Sequence, residues 1–162
     1  MHPVTYTPIG ILHSEFTDMV GVPIQSALSK HRGTIEIFPE YADGLKDIAG
    51  FSHLLLLYHL HLMKGHSLRV VPFLDDKEHG IFATRSPKRP NPIGLSVVEL
   101  KSVKDRLLHV SGMDIVDGTP LLDIKPYVRR FDAWDTEREG WFTDKLRDLK
   151  ARVADDRFCC ST

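Results

Sequence analysis

The run FSHLLLLYHLHLM, residues 51–63, is the most apolar stretch of the chain. It is longer than an average strand and too short and too interrupted by histidine to cross a membrane as a helix. A run of this kind suits a central, curved barrel strand, buried on one or both faces. Strand patterns surround it. Residues 33–38 (GTIEIF) alternate with period two, which predicts a strand with one buried face. Residues 4–13 (VTYTPIGILH) mix β-branched and aromatic residues with polar ones and read as a first strand. Residues 69–73, 80–84, 93–103 and 107–113 read as further strands, the last two joined by the polar turn Lys104, Asp105 and Arg106. Residues 121–124 form a short strand after the turn signal Asp117-Gly118.

Helical patterns are few. Residues 39–49 (PEYADGLKDIA) open on Pro39 and Glu40 and put Leu45, Ile48 and Ala49 on one face. Residues 140–153 carry helical spacing at Phe142, Leu146, Leu149 and Val153. Residues 14–30 and 128–139 show no period and read as irregular. The strands are not separated by regular helices, as βαβ units require. The fold class expected is therefore mainly β: a single β-barrel of antiparallel or mixed strands with one or two helices. Residues 1–135 would form the barrel, and residues 136–162 a C-terminal helix and tail of the same domain.

With 162 residues, 42% hydrophobic and 27% charged, the chain is long enough for one soluble domain with a real core. A formal net charge of -1 excludes a global basic field, so any nucleic-acid site must be a local patch. The first ten residues lack the basic and apolar regions of a secretory signal, and no apolar run is long enough to span a membrane. Cys159 and Cys160 are adjacent and nearly terminal; they suggest a reducing compartment and a disordered tail rather than a disulfide framework. His59 and His61 share one strand face, but no third ligand stands at a recognisable spacing, so no metal is expected. No glycine-rich dinucleotide or phosphate loop occurs.

Two segments bear chemistry. Residues 80–94 read GIFATRSPKRPNPIG. Pro87, Pro90 and Pro92 fix their own φ and restrict the residues before them, so this basic loop is ordered before any ligand arrives. Residues 114–127 read DIVDGTPLLDIKPY and gather Asp114, Asp117, Asp123 and Lys125 in one short span. Gln25 adds a polar residue to the irregular segment before them.

These two motifs, in this order, together with FSHLLLLYHLH at residues 51–61 and PIGILHS at residues 8–14, resemble the TrmO (TsaA-like) family over most of residues 5–130. The resemblance implies a non-Rossmann barrel that uses S-adenosyl-L-methionine to methylate N6 of threonylcarbamoyl-adenosine at tRNA position 37. It further implies a cytoplasmic homodimer that meets the anticodon loop and needs neither membrane nor metal. Carried over by position, the cofactor would touch Gln25, Ser26, Ala27, Leu60, His61, Arg85, Leu95, Asp117, Gly118, Thr119, Pro120 and Leu121. PIQSAL at residues 23–28 departs from the more usual PRQPG-like stretch. Candidates for a proton acceptor are Asp117, Asp123 and His61, oriented by Lys125 and Tyr127. Arg85 suits a carboxylate clamp. Lys88, Arg89, Arg129 and Arg130 would contact phosphates, and Tyr127, Phe131 and Trp134 offer stacking surfaces. A methyltransferase acting on a small molecule or another RNA, and a non-catalytic barrel that binds S-adenosylmethionine or RNA, remain alternatives.

Overall fold

The chain forms strands β1 (Gly10–His13), β2 (Arg32–Ile37), β3 (His53–His59), β4 (Arg69–Val70), β5 (His79–Gly80), β6 (Ile93–Lys104), β7 (Leu107–Ser111) and β8 (Thr119–Pro126). Six of them close into an antiparallel barrel in the order β1-β2-β7-β6-β3-β8, and β4 pairs with β5 in a separate ribbon. These coordinates are a computed structural model that describes residues 2–145 and 153–159.

β3, the heart of the most apolar run, is bonded along its length to β6 on one side and β8 on the other. Its side chains alternate inward and outward, so Leu54 and Leu56 are wholly enclosed and Tyr58 nearly so. Leu12, Ile35, Ile37, Val98, Leu108, Val110 and Leu121 supply the facing layers of the core. Between Leu57 and Tyr58 the register against β8 slips: Leu57 faces Asp123 and Tyr58 faces Leu121. The extra β8 residue bends the pair, and a bulge of this kind re-aims side chains at a barrel rim.

The structure departs from the sequence expectations in several places, and the strands expected over 4–13 and 69–73 shrink to β1 and β4. Residues 80–84 are not a strand; after β5 the chain makes a 3₁₀ turn, Ile81–Ala83. Ile81 turns in to join Val70 and Phe158 in a second small core, and Thr84 N–H closes the turn on the Ile81 carbonyl at 3.1 Å. Residues 39–49 give two 3₁₀ turns, Pro39–Leu45 and Ile48–Gly50, rather than a helix, because Asp47 breaks the run with φ 66°. Within residues 128–139 a single helical turn forms, Arg129–Asp132.

The expected C-terminal helix over 140–153 begins only as a 3₁₀ turn, Gly140–Phe142. Its Leu146 and Leu149 lie outside the described residues. Val153 instead makes a β-bridge with Pro23, so helical spacing there is not helix. Nor are residues 153–159 a disordered tail. Ala154 exchanges hydrogen bonds with Gly21 and Val22 at 2.8 Å, Phe158 is buried, and Cys159 is half-buried behind it. Cys160 lies outside the described residues. No helix among them is long and apolar enough to cross a membrane.

Candidate functional site

A cavity of about 780 Å³ opens at the barrel end where β3 finishes and β6 and β8 begin. Tyr58, Gly94, Asp114 and Thr119 belong to its barrel side; Gln25, Leu60, His61, Arg85 and Leu95 line it from the surrounding segments. The irregular N-terminal segment and the proline-rich loop are joined there by Arg85 Nη1–H, which donates to Gln25 Oε1 at 2.8 Å. The guanidinium stays exposed. Arg89 is used differently. Its Nη1 turns inward to the carbonyls of Thr84 at 2.9 Å and Ile81 at 3.2 Å, bracing the loop from within. The sequence offered Arg89 as a phosphate contact; here its Nη1 is committed to the loop backbone.

Gly94 is glycine for a steric reason. A Cβ there would stand 2.1 Å from Cε2 and 2.4 Å from Cζ of the Tyr58 ring. The ring fills the space beside this backbone and carries its hydroxyl to Ser96, 3.0 Å away. Ser96 in turn donates to Asp114 Oδ1 at 2.7 Å. Desolvation pushes the Asp114 carboxyl up to about 6, although Ser96 opposes the shift, and burial raises the Tyr58 phenol as well.

The expected site residues divide. Gln25, Leu60, His61, Arg85, Leu95 and Thr119 meet on the cavity. Ser26, Ala27, Asp117, Gly118, Pro120 and Leu121 do not line it. Ser26 accepts from the Val97 N–H at 3.2 Å and pins its segment to β6, while Leu121 is a core residue. Asp117 and Gly118 form the turn before β8. Gly118 has φ 74°, and the turn is clipped to the segment around β1 by Gly118 N–H to Leu12 and by Ser14 N–H to Asp117 Oδ1 at 3.0 Å.

β8 then runs away from the cavity. Asp123 pairs with Lys125 at 2.7 Å on the outer surface, and Tyr127 packs its edge on His53 at the start of β3. At about 3.4 Å per residue, Tyr127 stands roughly 27 Å from Thr119. Arg129 and Arg130, both exposed, follow it at that far end. Lys88 is half-buried within the proline loop. Sequence reasoning did not single out Tyr58 and Ser96, and it named Asp114 within the acidic 114–127 segment but not among the candidate proton acceptors. One signal was available: Ser96 is a hydroxyl on the inward-facing register of β6, a position otherwise apolar.

The C-terminal segment covers one side of the cavity with Trp141, Phe142 and Phe158. Trp141 Nε1–H donates to the Ala83 carbonyl at 2.8 Å, and its ring stacks on His79, centroids 4.5 Å apart. His79 Nε2 is 3.0 Å from Asp75, whose enclosed carboxylate also holds Lys145 at 3.0 Å. His79 first, then Lys145, keep that carboxyl well below the usual carboxylate range. A group depressed in the folded state contributes stability above its unfolded pKa, near ~3.9, and loses it as pH falls through the folded value. The contribution is thus expected to begin falling below about pH 4, and Trp141 to come free of His79 only well below that, where Asp75 itself takes up a proton. In a Trp134→Phe variant, which removes the 82% exposed second tryptophan, Trp141 fluorescence should shift in that range before the far-ultraviolet signal changes. A single coincident transition would place the anchor elsewhere.

His61 Nδ1 lies 3.2 Å from Thr119 Oγ1, and burial, then His59, lowers its proton affinity. Among the described residues, no group of three or more His, Cys, Asp or Glu is arranged to hold a metal.

Residues 11–133 match the family of the tRNA-methyltransferase O N-terminal domain. The chain is 49% identical over 156 residues to a Pyrococcus abyssi protein named as a probable S-adenosyl-L-methionine-binding protein, covering 96% of this chain and 85% of that one. It is 39% identical over 139 residues to the tRNA (adenine(37)-N6)-methyltransferase of Escherichia coli, covering 79% of this chain but only 59% of that enzyme. A crystal structure of TrmO from Pseudomonas aeruginosa superposes with a TM-score of 0.73 at 38% identity, over 87% of this chain and 62% of that one.

Proposed function

The chain belongs to the family of the tRNA-methyltransferase O N-terminal domain, and from that premise we propose that it is an S-adenosyl-L-methionine-dependent methyltransferase acting on N6 of adenine 37 in tRNA. The acceptor form is threonylcarbamoyl-adenosine. The observation that carries this is the convergence of Arg85, Gln25, His61, Thr119 and Asp114 on one cavity at the end of a barrel.

The residues fit the cofactor. A cavity of about 780 Å³ is in the size range of small-molecule sites. Its wall offers apolar surface at Leu60 and Leu95, a guanidinium at Arg85 and a carboxylate at Asp114. Bound there, the cofactor supplies an activated methyl sulfonium. Arg85 holds a carboxylate, either of the methionine part or of the threonyl group, and Gln25 fixes the guanidinium. The proline-rich loop, braced by Arg89, keeps this clamp in place without a Rossmann helix. The anticodon loop presents unstacked bases to such a mouth. Lys88 within the loop and Arg129 and Arg130 beyond β8 are the cations proposed for phosphate.

Because Arg129 and Arg130 lie at the opposite barrel end, a second copy of the chain would bring its own set to this cavity. Exposed apolar side chains around the mouth, Phe82 at 76% and Leu95 at 53%, support that homodimer. The setting is the cytoplasm, where tRNA is found.

The test is calorimetry with S-adenosylmethionine followed by nucleoside analysis of threonine tRNA after incubation with the chain and cofactor. Tight binding and a new methylated threonylcarbamoyl-adenosine are expected. Binding without that product would move the acceptor to another RNA or a small molecule. Absence of binding would remove the enzyme reading altogether.

A further inference from the structure

Resting on the methyltransferase reading above, we propose that Asp114 takes the proton that leaves the acceptor nitrogen as the methyl group arrives, with Ser96 and Tyr58 as its positioning residues. Asp117 and Asp123 do not reach the cavity. Of the other carboxylates on its wall, Asp155 is held by the Arg157 guanidinium at 2.7 and 2.8 Å, and Glu139 is exposed to water. Asp114 is half-buried, on the barrel side of the cavity, and ordered by a chain of hydroxyls.

The direction of that chain is fixed. Ser96 has one proton and donates it to Asp114 Oδ1, so the Tyr58 hydroxyl must donate to Ser96. Every hydrogen of the network therefore points toward the carboxylate from the core side. On its core side the ionised carboxylate therefore meets a donor and no proton acceptor in Ser96. Tyr58 is in turn held by Gly94, which leaves room for its ring.

The remaining ionisable groups on the wall are Tyr58 from β3, His61 just beyond it, Arg85 and Arg89 from the proline loop, and Arg138, Glu139 and Asp155 from the C-terminal segment. His61 is the competing base. The Thr119 hydroxyl donates to the Val116 carbonyl at 2.7 Å, so His61 Nδ1–H must donate to Thr119 and Nε2 keeps a lone pair. That lone pair is a weak base, because burial and His59 both lower its proton affinity. The carboxylate has a second advantage. As the nitrogen lone pair forms the N–C bond, the C–S bond breaks and its electron pair stays on sulfur. The N–H bond breaks, its pair stays on nitrogen, and the proton forms an O–H bond on Asp114. A cation and an anion become two neutral groups, a change that desolvation of the carboxyl favours.

The experiment is single-turnover methylation at saturating cofactor over roughly pH 5 to 8. In the wild-type chain the rate should rise about tenfold per pH unit up to about pH 6, where desolvation has set the carboxyl, and then level off. Asp114→Asn should lower the rate by about 10²–10⁴-fold while calorimetric binding of S-adenosylmethionine is kept. Ser96→Ala removes a donor that favours the ionised carboxylate, so the bend should move to higher pH. His61→Gln should leave the bend in place. A readout without turnover is carbon-13 NMR of aspartate carboxyls in the unliganded chain. One resonance should titrate near pH 6, disappear in Asp114→Asn and move upward in Ser96→Ala; this second variant serves if the first fails to fold. Full turnover by a cofactor-binding Asp114→Asn chain, or loss of the bend in His61→Gln, would overturn the assignment. A wild-type chain that binds no cofactor would instead overturn the enzyme reading.

Discussion

Gly94→Ala should destabilise the barrel more than any other single methyl added at the site. The new Cβ would need the space of the Tyr58 ring, 2.1 Å away, and that ring is 6% exposed and enclosed by the rim of the barrel. Overpacking of this kind costs about 1–3 kcal/mol, and displacing the Tyr58 hydroxyl from Ser96 adds roughly 1 kcal/mol. A total of about 3 kcal/mol corresponds to a fall in Tm of roughly 6–12 °C for a chain of this size. Differential scanning calorimetry measures it directly. The double variant Gly94→Ala/Tyr58→Leu, which replaces the ring with a smaller side chain, should recover much of the loss. If it recovers none, the cost arises from the β6 backbone rather than from the ring. Cofactor affinity should fall with the single variant, because Ser96 and Asp114 lose the residue that orders them.

Arg85→Ala should act on binding and leave the fold intact. The guanidinium is exposed and makes one hydrogen bond, to Gln25 at 2.8 Å, so the Tm of the unliganded chain should hardly change. A charge-assisted bond to a ligand carboxylate is worth about 1.5–3 kcal/mol, which is roughly 10–100-fold in Kd. Arg85→Lys keeps the charge but not the planar fork, and should recover only part of the affinity. Gln25→Ala should show a smaller loss, since it loosens the clamp without removing it. Unchanged affinity in Arg85→Ala, measured by calorimetry, would transfer the clamp to another cation of the wall, with Arg138 next in line.

The sequence made the barrel legible because the core strands follow a simple period. Leu54, Leu56 and Tyr58 alternate inward on β3, and Ile35 and Ile37 do so on β2. The 3₁₀ turn at Ile81–Ala83 was not legible, since its cause is a contact between Ile81 and Phe158 from the far end of the chain. The same holds for Val153, whose partner Pro23 is remote in sequence. Six of the residues carried over by resemblance meet on one cavity. The failure of Asp123, Lys125 and Tyr127 to join them follows from strand geometry: β8 starts at the cavity and leads away from it. Asp114 was passed over because its chemistry comes from burial behind Ser96 and Tyr58, which belong to other strands.

The closed ring of strands also sets an order of events in time. β1 cannot complete its second edge until β8 exists, because Gly10 pairs with Leu121. At a synthesis rate of about 5–20 residues per second, an early strand waits roughly 5–20 seconds for that partner. During the wait, its unpaired edge and the apolar face of β3 are open to other chains. Barrel closure is therefore a late, long-range step, and the slow folding expected of such pairings makes the nascent chain the state most exposed to aggregation.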